Sequence, residues 1–168
     1  HNVTHTVTHI VRIANQVALG IYYLHSCKPP VLHLDMKSAN VLLDDYGVAK
    51  VCDFGLARLK FEDAGPETHA MGSPLWSAPE VLKGEAVNEK ADIYSYAMLC
   101  YELMSRKLPY EDKSATEVTM GVATNLLPRP ELPAGHGYPA ALVESMIACW
   151  AHEPHARPAF DGACAIAC

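Results

Sequence analysis

The sequence predicts a mainly α-helical domain with a small β element, an α+β fold class. Two kinds of pattern lead to this prediction. Several segments carry apolar residues three and four positions apart, which is typical of helices that bury one face. Two short apolar runs flank a turn signal in the first third of the chain, which is typical of a β-hairpin.

The first predicted helix is amphipathic and ends near His25–Ser26, just before the helix-breaking Lys28-Pro29-Pro30. Its apolar positions are Ile10, Ile13, Val17, Ile21 and Leu24. A nearly continuous apolar stretch from 91 to 103 predicts a buried central helix.

Three further helices are expected after the central one. Ser114 can cap a helix of about two turns through Met120. Residues 140–151 form the next, with its core side at Leu142, Met146, Ile147 and Trp150. A last helix is expected to start at Phe160 and to be cut off at Cys168.

Short strands are predicted at 31–32, 41–43 and 49–52. Because residues 44–47, Asp-Asp-Tyr-Gly, are a turn signal, the last two strands should form a hairpin. From Leu56 to Trp76 the periodicity is lost and Gly and Pro punctuate the sequence. This segment is predicted to be a long surface loop of the kind that carries function.

Length and composition limit the classes of function. A chain of 168 residues, half of them hydrophobic, can bury one substantial core. The net charge of −6 gives no support to nucleic-acid binding, which favours a basic face. The apolar stretches are too short and too interrupted for membrane insertion. The six cysteines include no CxxC pair, which favours reduced thiols and a cytoplasmic protein.

Three motifs follow one another in the chain. The run His33-Leu34-Asp35-Met36-Lys37-Ser38-Ala39-Asn40 precedes Asp53-Phe54-Gly55, which precedes Ala78-Pro79-Glu80. Apart from Leu34 and Met36, they match the catalytic-loop, D-F-G and A-P-E signature of phosphoryl-transfer enzymes. On these motifs the chain resembles the protein kinase family, and more narrowly the tyrosine-kinase-like group of Ser/Thr kinases.

The resemblance implies transfer of the γ-phosphate of ATP, with Mg²⁺, to Ser or Thr hydroxyls of a protein substrate in signalling. It implies that Asp35 is the catalytic base and that Lys37 lies near the transferred phosphate. Asn40 and Asp53 would hold Mg²⁺, which prefers hard oxygen ligands such as theirs.

The nucleotide would contact three residues. Leu42 would form the floor beneath the adenine, and Asp53 would meet the phosphates through Mg²⁺. Cys52, which directly precedes Asp53, either lines the nucleotide cleft or is a small core residue.

The resemblance also implies an activation and substrate segment and a structural frame. The expected members of the segment are Phe54, Gly55, Thr68, Ser73, Trp76, Pro79 and Glu80. Three residues outside it would have structural roles. His33 would stack on Phe54, Asp92 would tie down the catalytic-loop backbone, and Arg157 would pair with Glu80.

Leu34 stands where many kinases carry an Arg that holds a phosphorylated activation loop. We therefore expect that phosphorylation between Asp53 and Glu80 is not the on-switch. Thr68 and Ser73 are hydroxyls available there, and Thr68 is better explained as an ordinary solvated loop residue.

The chain also shows no Gly-rich loop and no strand Lys of the V-A-I-K type. We therefore expect residues 1–168 to be the C-terminal lobe alone of a kinase domain, with negligible activity in isolation. An alternative stays open at this point: a catalytically inactive interaction module, either truncated or pseudokinase-like.

Overall fold

The computed structural model describes residues 2–59, 73–135 and 137–160, with only the backbone described for residues 2–6. The first elements are helix α1 Asn2–Ser26 and strands β1 Val31–Leu32, β2 Val41–Leu43, β3 Ala49–Val51 and β4 Arg58–Leu59. They are followed by helices α2 Pro79–Lys83, α3 Lys90–Ser105, α4 Ala115–Ala123 and α5 Ala140–Cys149. Single 3₁₀ turns lie at Ser38–Asn40 and Pro154–Ala156. The predicted α+β class, rich in helix with little strand, is confirmed.

Helix α3 lies at the centre of the core. Residues 91–101 are all buried, because α3 is apolar around most of its circumference and packs against both α1 and α5. Helix α1 turns the predicted apolar face inward, with Val17 and Ile21 fully buried, and ends at Ser26 as predicted. The predicted buried central helix is also confirmed.

The predicted hairpin is formed by β2 and β3. The strands pair antiparallel with Val41 opposite Val51. In the turn, Asp44 Oδ1 accepts hydrogen bonds from the backbone N–H groups of Tyr46 and Val48. The hairpin follows the catalytic loop directly and so fixes the far end of that loop.

The prediction that Leu56 begins a long loop without regular structure is wrong at β4. Arg58 and Leu59 pair antiparallel with Leu32 and Val31 of β1. A strand of two residues is too short to show the alternation of polar and apolar residues from which strands are predicted. The pairing brings the segment after Asp53-Phe54-Gly55 back to the strand that precedes His33.

Helix α2 was not expected from the sequence, because five residues are too few to show a helical period. Pro79 begins it, where the missing N–H costs nothing, and Gly84 ends it in the left-handed conformation at φ 70°. The helix of 115–123 runs three residues beyond the predicted end at Met120 and begins with a capping box between Ser114 and Glu117.

Helix α5 ends at Cys149, two residues before the predicted end. Leu142, Met146 and Trp150 are buried as predicted, but the prediction for Ile147 is wrong, since 51% of it is exposed. Ile147 directly follows Met146, and one residue turns a helix by about 100°, so Ile147 points away from the side on which Leu142 and Met146 are buried. The predicted helix after Phe160 falls on residues 161–168, outside the described residues.

Candidate active site

The loop between β1 and β2 is anchored to α3 by one buried carboxylate. Asp92 Oδ2 accepts from the backbone N–H of His33 at 2.9 Å, and Oδ1 accepts from that of Leu34 at 2.8 Å. His25 Nε2 donates to Oδ2 at 2.8 Å. A fully buried carboxylate needs such donors to offset its lost hydration. The backbone is therefore fixed immediately before Asp35.

Asp35, Lys37 and Ser73 form one hydrogen-bonded cluster. Lys37 Nζ donates to Asp35 Oδ2 at 2.7 Å and to Ser73 Oγ at 2.8 Å. The backbone N–H of Ser73 donates to Asp35 Oδ1 at 3.2 Å. The predicted catalytic residues thus lie in direct contact with the predicted substrate segment.

Asn40 joins the same cluster from the end of the catalytic loop. The 3₁₀ turn Ser38–Asn40 brings its side chain back, so that Nδ2 donates to the backbone oxygen of Asp35 at 2.7 Å and to Oδ2 at 3.1 Å. These bonds assign the amide orientation. Because the nitrogen faces Asp35, the carbonyl oxygen Oδ1 is the atom that Asn40 can offer to a cation.

The cluster sets the charge state of Asp35. Partial burial raises the pKa of its carboxyl group, but hydrogen bonds from Lys37, Ser73 and Asn40 and the positive charge of Lys37 outweigh that effect. The pKa of Asp35 therefore lies below its ordinary value of 3.8. The group is a carboxylate at neutral pH.

The Asp53-Phe54-Gly55 segment belongs to a second set of contacts. Asp53 is exposed at φ 62°, and its Oδ1 accepts from the Gly55 N–H at 3.2 Å. The Phe54 ring lies 5.2 Å from the His33 ring, tilted by 54°, so the expected contact between these side chains is present. His33 Nε2 donates to the Cys52 carbonyl oxygen at 3.1 Å, which ties this segment to the catalytic loop.

The described part of the substrate segment begins with a turn. The Trp76 N–H donates to the Ser73 carbonyl oxygen at 3.0 Å, and the Ser77 hydroxyl donates to the same atom at 3.0 Å. The indole of Trp76 donates to Glu102 Oε2 at 3.0 Å. Pro79 is buried at the start of α2. Thr68, predicted for this segment, lies outside the described residues.

Glu80 and Arg157 form a buried bidentate pair, the contact that the sequence predicts. Arg157 Nη1 and Nη2 donate to the two carboxylate oxygens at 2.6 and 2.8 Å. The remaining N–H groups of Arg157 donate to the carbonyl oxygens of Ala151, Lys90 and His152. The pair joins α2, and with it the substrate segment, to the start of α3 and to the C-terminal end of the described chain.

Leu42, predicted to lie beneath the adenine, and Cys52, predicted to line the nucleotide cleft or the core, lie on or beside the hairpin. Leu42 on β2 is 58% exposed, and Leu43 beside it is 51% exposed. Cys52 is half-buried, and its N–H donates to the Asn40 carbonyl oxygen at 2.9 Å. Neither residue belongs to the hydrogen-bonded cluster around Asp35.

Sequence reasoning missed two residues that support the site. His25 reaches Asp92 from the last turn of α1, and nothing in the helical period marks it. Glu102 accepts hydrogen bonds from Trp76 and from the Ser38 hydroxyl. It had a detectable signal, because an acidic residue within the apolar run of α3 needs a partner to be half-buried there.

None of the helices in the described ranges combines the length and the apolar character that crossing a bilayer requires.

The sequence profile of the family described as protein tyrosine and serine/threonine kinase matches residues 1–165. A probable serine/threonine-protein kinase of Dictyostelium discoideum is 39% identical over 149 residues, which are 89% of this chain and 16% of that protein. The serine/threonine-protein kinase CTR1 of Arabidopsis thaliana is 40% identical over 149 residues, 88% of this chain and 18% of that protein. The dual specificity protein kinase shkA of D. discoideum is 36% identical over 155 residues, 90% of this chain and 29% of that protein.

The chain thus spans less than a third of the length of each of these relatives. The matched part holds the catalytic-loop, D-F-G and A-P-E motifs together with the helices that support them. The chain belongs to the protein tyrosine and serine/threonine kinase family, and its helix-rich fold is that of the C-terminal lobe of a kinase domain.

Proposed function

We propose that the protein containing this chain transfers the γ-phosphate of ATP to Ser or Thr hydroxyls of a protein substrate. This chain would supply the base, the Mg²⁺ ligands and the substrate platform. The observation that carries the proposal is the Lys37 ammonium group, which bridges the Asp35 carboxylate and the Ser73 hydroxyl. A fixed cation at the junction of base and substrate segment suits a reaction in which negative charge passes between two oxygens.

Asp35 is the group that would receive the proton of the acceptor hydroxyl. With a pKa below 3.8 it is ionised at neutral pH, but it is too weak a base to remove a hydroxyl proton before transfer begins. Its role is therefore to orient the hydroxyl in line and to take the proton as the new O–P bond forms. Since a lowered pKa keeps the carboxylate ionised until the pH falls below 3.8, activity near neutral pH should not titrate through Asp35.

Asn40 and Asp53 fit an Mg²⁺ site. Among the described residues, no group of three or more His, Cys, Asp or Glu side chains could hold a metal ion by itself. Mg²⁺ needs no such cage, because it usually takes one or two protein oxygens and completes its octahedral shell with water and phosphate oxygens. Asn40 Oδ1 and the exposed Asp53 carboxylate are donors of this kind. Bound Mg²⁺ would neutralise charge on the ATP phosphates.

The exposed hairpin face supports a role in nucleotide binding. Leu42, two residues after Asn40 in the chain, presents exposed apolar surface against which a flat aromatic base can be buried. Half-buried Cys52 follows β3 and directly precedes Asp53, which is compatible with a position at the edge of the same cleft. We assign adenine contact to Leu42 and place Cys52 at the edge of the cleft.

The acceptor would be Ser or Thr rather than Tyr. Lys37, two residues after Asp35, bonds to the Ser73 hydroxyl, which is the arrangement that the resemblance to Ser/Thr kinases implies. The named dual specificity of one relative makes Tyr an acceptor that the experiment has to include.

Asp35→Asn in the full-length protein tests the proposal. We expect phosphate transfer from ATP to Ser and Thr peptides, dependent on Mg²⁺, and a loss of about 10²-fold or more in the variant, since positioned acid–base groups contribute that much. Peptides that differ only in carrying Ser, Thr or Tyr establish the acceptor. Binding of a fluorescent ATP analogue should be unchanged, because Asp35 belongs to the acceptor side.

Asp45→Asn is the matched control, since Asp45 is an exposed carboxylate in the hairpin turn. Transfer that Asp35→Asn leaves intact would contradict the catalytic role. Absence of transfer in the wild-type protein with every peptide would favour the non-catalytic interaction module instead.

We also propose that phosphorylation of the activation segment is not the on-switch, because Leu34 cannot hold a phosphate. Leu34 donates its backbone N–H to Asp92 at 2.8 Å, and its side chain packs against the hydrophobic core. In the full-length protein, Thr68→Glu and Thr68→Ala should therefore have the same kcat within about two-fold, the scale of a substitution that breaks no specific interaction. A many-fold higher kcat for Thr68→Glu would refute this point.

A further inference from the structure

Glu102, in the last turn of α3, uses its two carboxylate oxygens for two different segments. Oε1 accepts from the Ser38 hydroxyl of the catalytic loop, and Oε2 accepts from the Trp76 indole of the substrate segment at 3.0 Å. The residue is half-buried, and both donors are neutral groups. The carboxylate is therefore held by hydrogen bonds from the two loops that have to meet for phosphate transfer.

These bonds close a ring of links around the catalytic cluster. At the front, Lys37 Nζ donates to Ser73 Oγ at 2.8 Å. At the back, Ser38 follows Lys37 directly in the chain, and the Trp76 N–H donates to the Ser73 carbonyl oxygen at 3.0 Å. Glu102 joins Ser38 to Trp76 and so completes the ring.

We propose that Glu102 is a positioning residue that fixes the substrate segment against the catalytic loop and thereby sets the affinity for the acceptor peptide. The inference rests on the proposed kinase function. The front links, from Lys37 Nζ to the Ser73 hydroxyl and from the Ser73 N–H to Asp35, hold the substrate segment at Ser73 alone. The back link ends on α3, the most buried helix of the fold, which gives the segment a fixed reference.

The chemistry of the two donors predicts which substitutions preserve the ring. An indole N–H can only donate, whereas a serine hydroxyl can donate or accept. In Glu102→Gln the amide oxygen can still accept from Trp76, and the amide nitrogen can donate to Ser38 after the hydroxyl turns. Glu102→Ala loses both bonds. The role depends on hydrogen bonding and not on charge, so Glu102→Gln should keep an affinity for the peptide close to that of the wild-type protein.

The test is steady-state kinetics of the full-length protein with the concentrations of acceptor peptide and ATP varied separately. We expect Glu102→Ala to raise the KM for peptide by about ten-fold, the scale of losing hydrogen bonds to a charged group, with the KM for ATP unchanged. Glu102→Gln should stay within about three-fold of wild type in both. Glu144→Ala removes an exposed carboxylate from α5 and serves as the control.

A merely structural carboxylate would behave differently, because partial unfolding lowers the active fraction and hence kcat while leaving both KM values unchanged. Ser38→Ala and Trp76→Phe each break one arm of the ring. Since both arms act through one carboxylate, their effects on peptide KM should be clearly less than additive in the double variant. Additive effects would overturn the inference.

Peptide affinity is also measured by fluorescence anisotropy of a labelled peptide, which needs no turnover. Unchanged affinity in Glu102→Ala would overturn the role of Glu102 whether or not the protein is active. Failure of the wild-type protein to phosphorylate any peptide would instead count against the proposed function.

Discussion

The acidic and basic residues that support the active site from within the fold and the residues at its open edge lie in opposite environments. The foundation, by which we mean Glu80, Asp92 and Arg157, is 4%, 0% and 2% exposed. The open edge, by which we mean Leu42, Asp53 and Phe54, is exposed, with Leu42 at 58% and Phe54 at 48%. Each region reaches the catalytic loop through one residue, Asp92 by its hydrogen bonds and Phe54 by its ring contact with His33. The difference between the regions therefore lies in what their side chains bind.

The side chains of the foundation use their hydrogen-bonding groups on other parts of the protein. All five N–H donors of Arg157 have acceptors, and both oxygens of Asp92 accept from backbone N–H groups. At the open edge, the Asp53 carboxylate accepts from a neighbouring backbone N–H and stays exposed to ligands. The difference predicts that substitutions in the foundation change stability, whereas substitutions at the edge change activity.

Arg157→Ala should have the largest effect on stability. It leaves the Glu80 carboxylate buried without its partner, and breaking a buried pair on one side typically costs about 3–5 kcal/mol. Urea unfolding of the full-length protein measures the loss. We also expect weaker peptide binding, because the pair holds α2 at the end of the substrate segment.

Arg12→Ala is the matched control, since Arg12 is exposed on α1. If Arg157→Ala showed normal stability and normal peptide affinity, Arg157 would not have the supporting role that we assign to it.

Asp92→Asn should have an intermediate effect. An amide offers one acceptor oxygen, so at least one of the backbone N–H groups of His33 and Leu34 would lose its partner while buried, at a cost of about 1–3 kcal/mol. Asp35 follows these residues directly, so kcat should fall as well. Hydrogen exchange of the His33 and Leu34 amides should accelerate, and unchanged protection of both would show that Asp92 does not anchor the loop.

Much of this comparison could be predicted from the sequence. The apolar run from 91 to 103 predicted the buried helix α3. The pairing of Arg157 with Glu80 was predicted from the resemblance to kinases. Strand β4 and helix α2 could not be predicted, because two and five residues carry no measurable period. The period also left Ile147 undecided, since adjacent helical residues can share a buried face, and only the folded chain shows that Ile147 is 51% exposed.

The residues that support the site were harder to predict from the sequence than its catalytic residues. His25 and Glu102 act through hydrogen bonds to residues more than twenty positions away in the chain, and such partners depend on tertiary packing. The motifs identify which residues meet ATP and substrate, but the bonds that hold those residues in place appear only in the folded chain. Degree of burial, which separates the foundation from the open edge, is likewise a property of packing.

Asp53→Asn should have the smallest effect on stability and still remove most of the activity. The amide oxygen can keep the bond from the Gly55 N–H, and Asn tolerates the left-handed φ of 62° as well as Asp does. The free energy of unfolding should therefore change by no more than about 0.5 kcal/mol. Phosphate transfer should fall by about 10²-fold, with more Mg²⁺ needed for half-maximal rate, because the anionic oxygen that would face the cation is lost. A variant that loses stability in parallel with activity would place Asp53 in the foundation and break the division between the two regions.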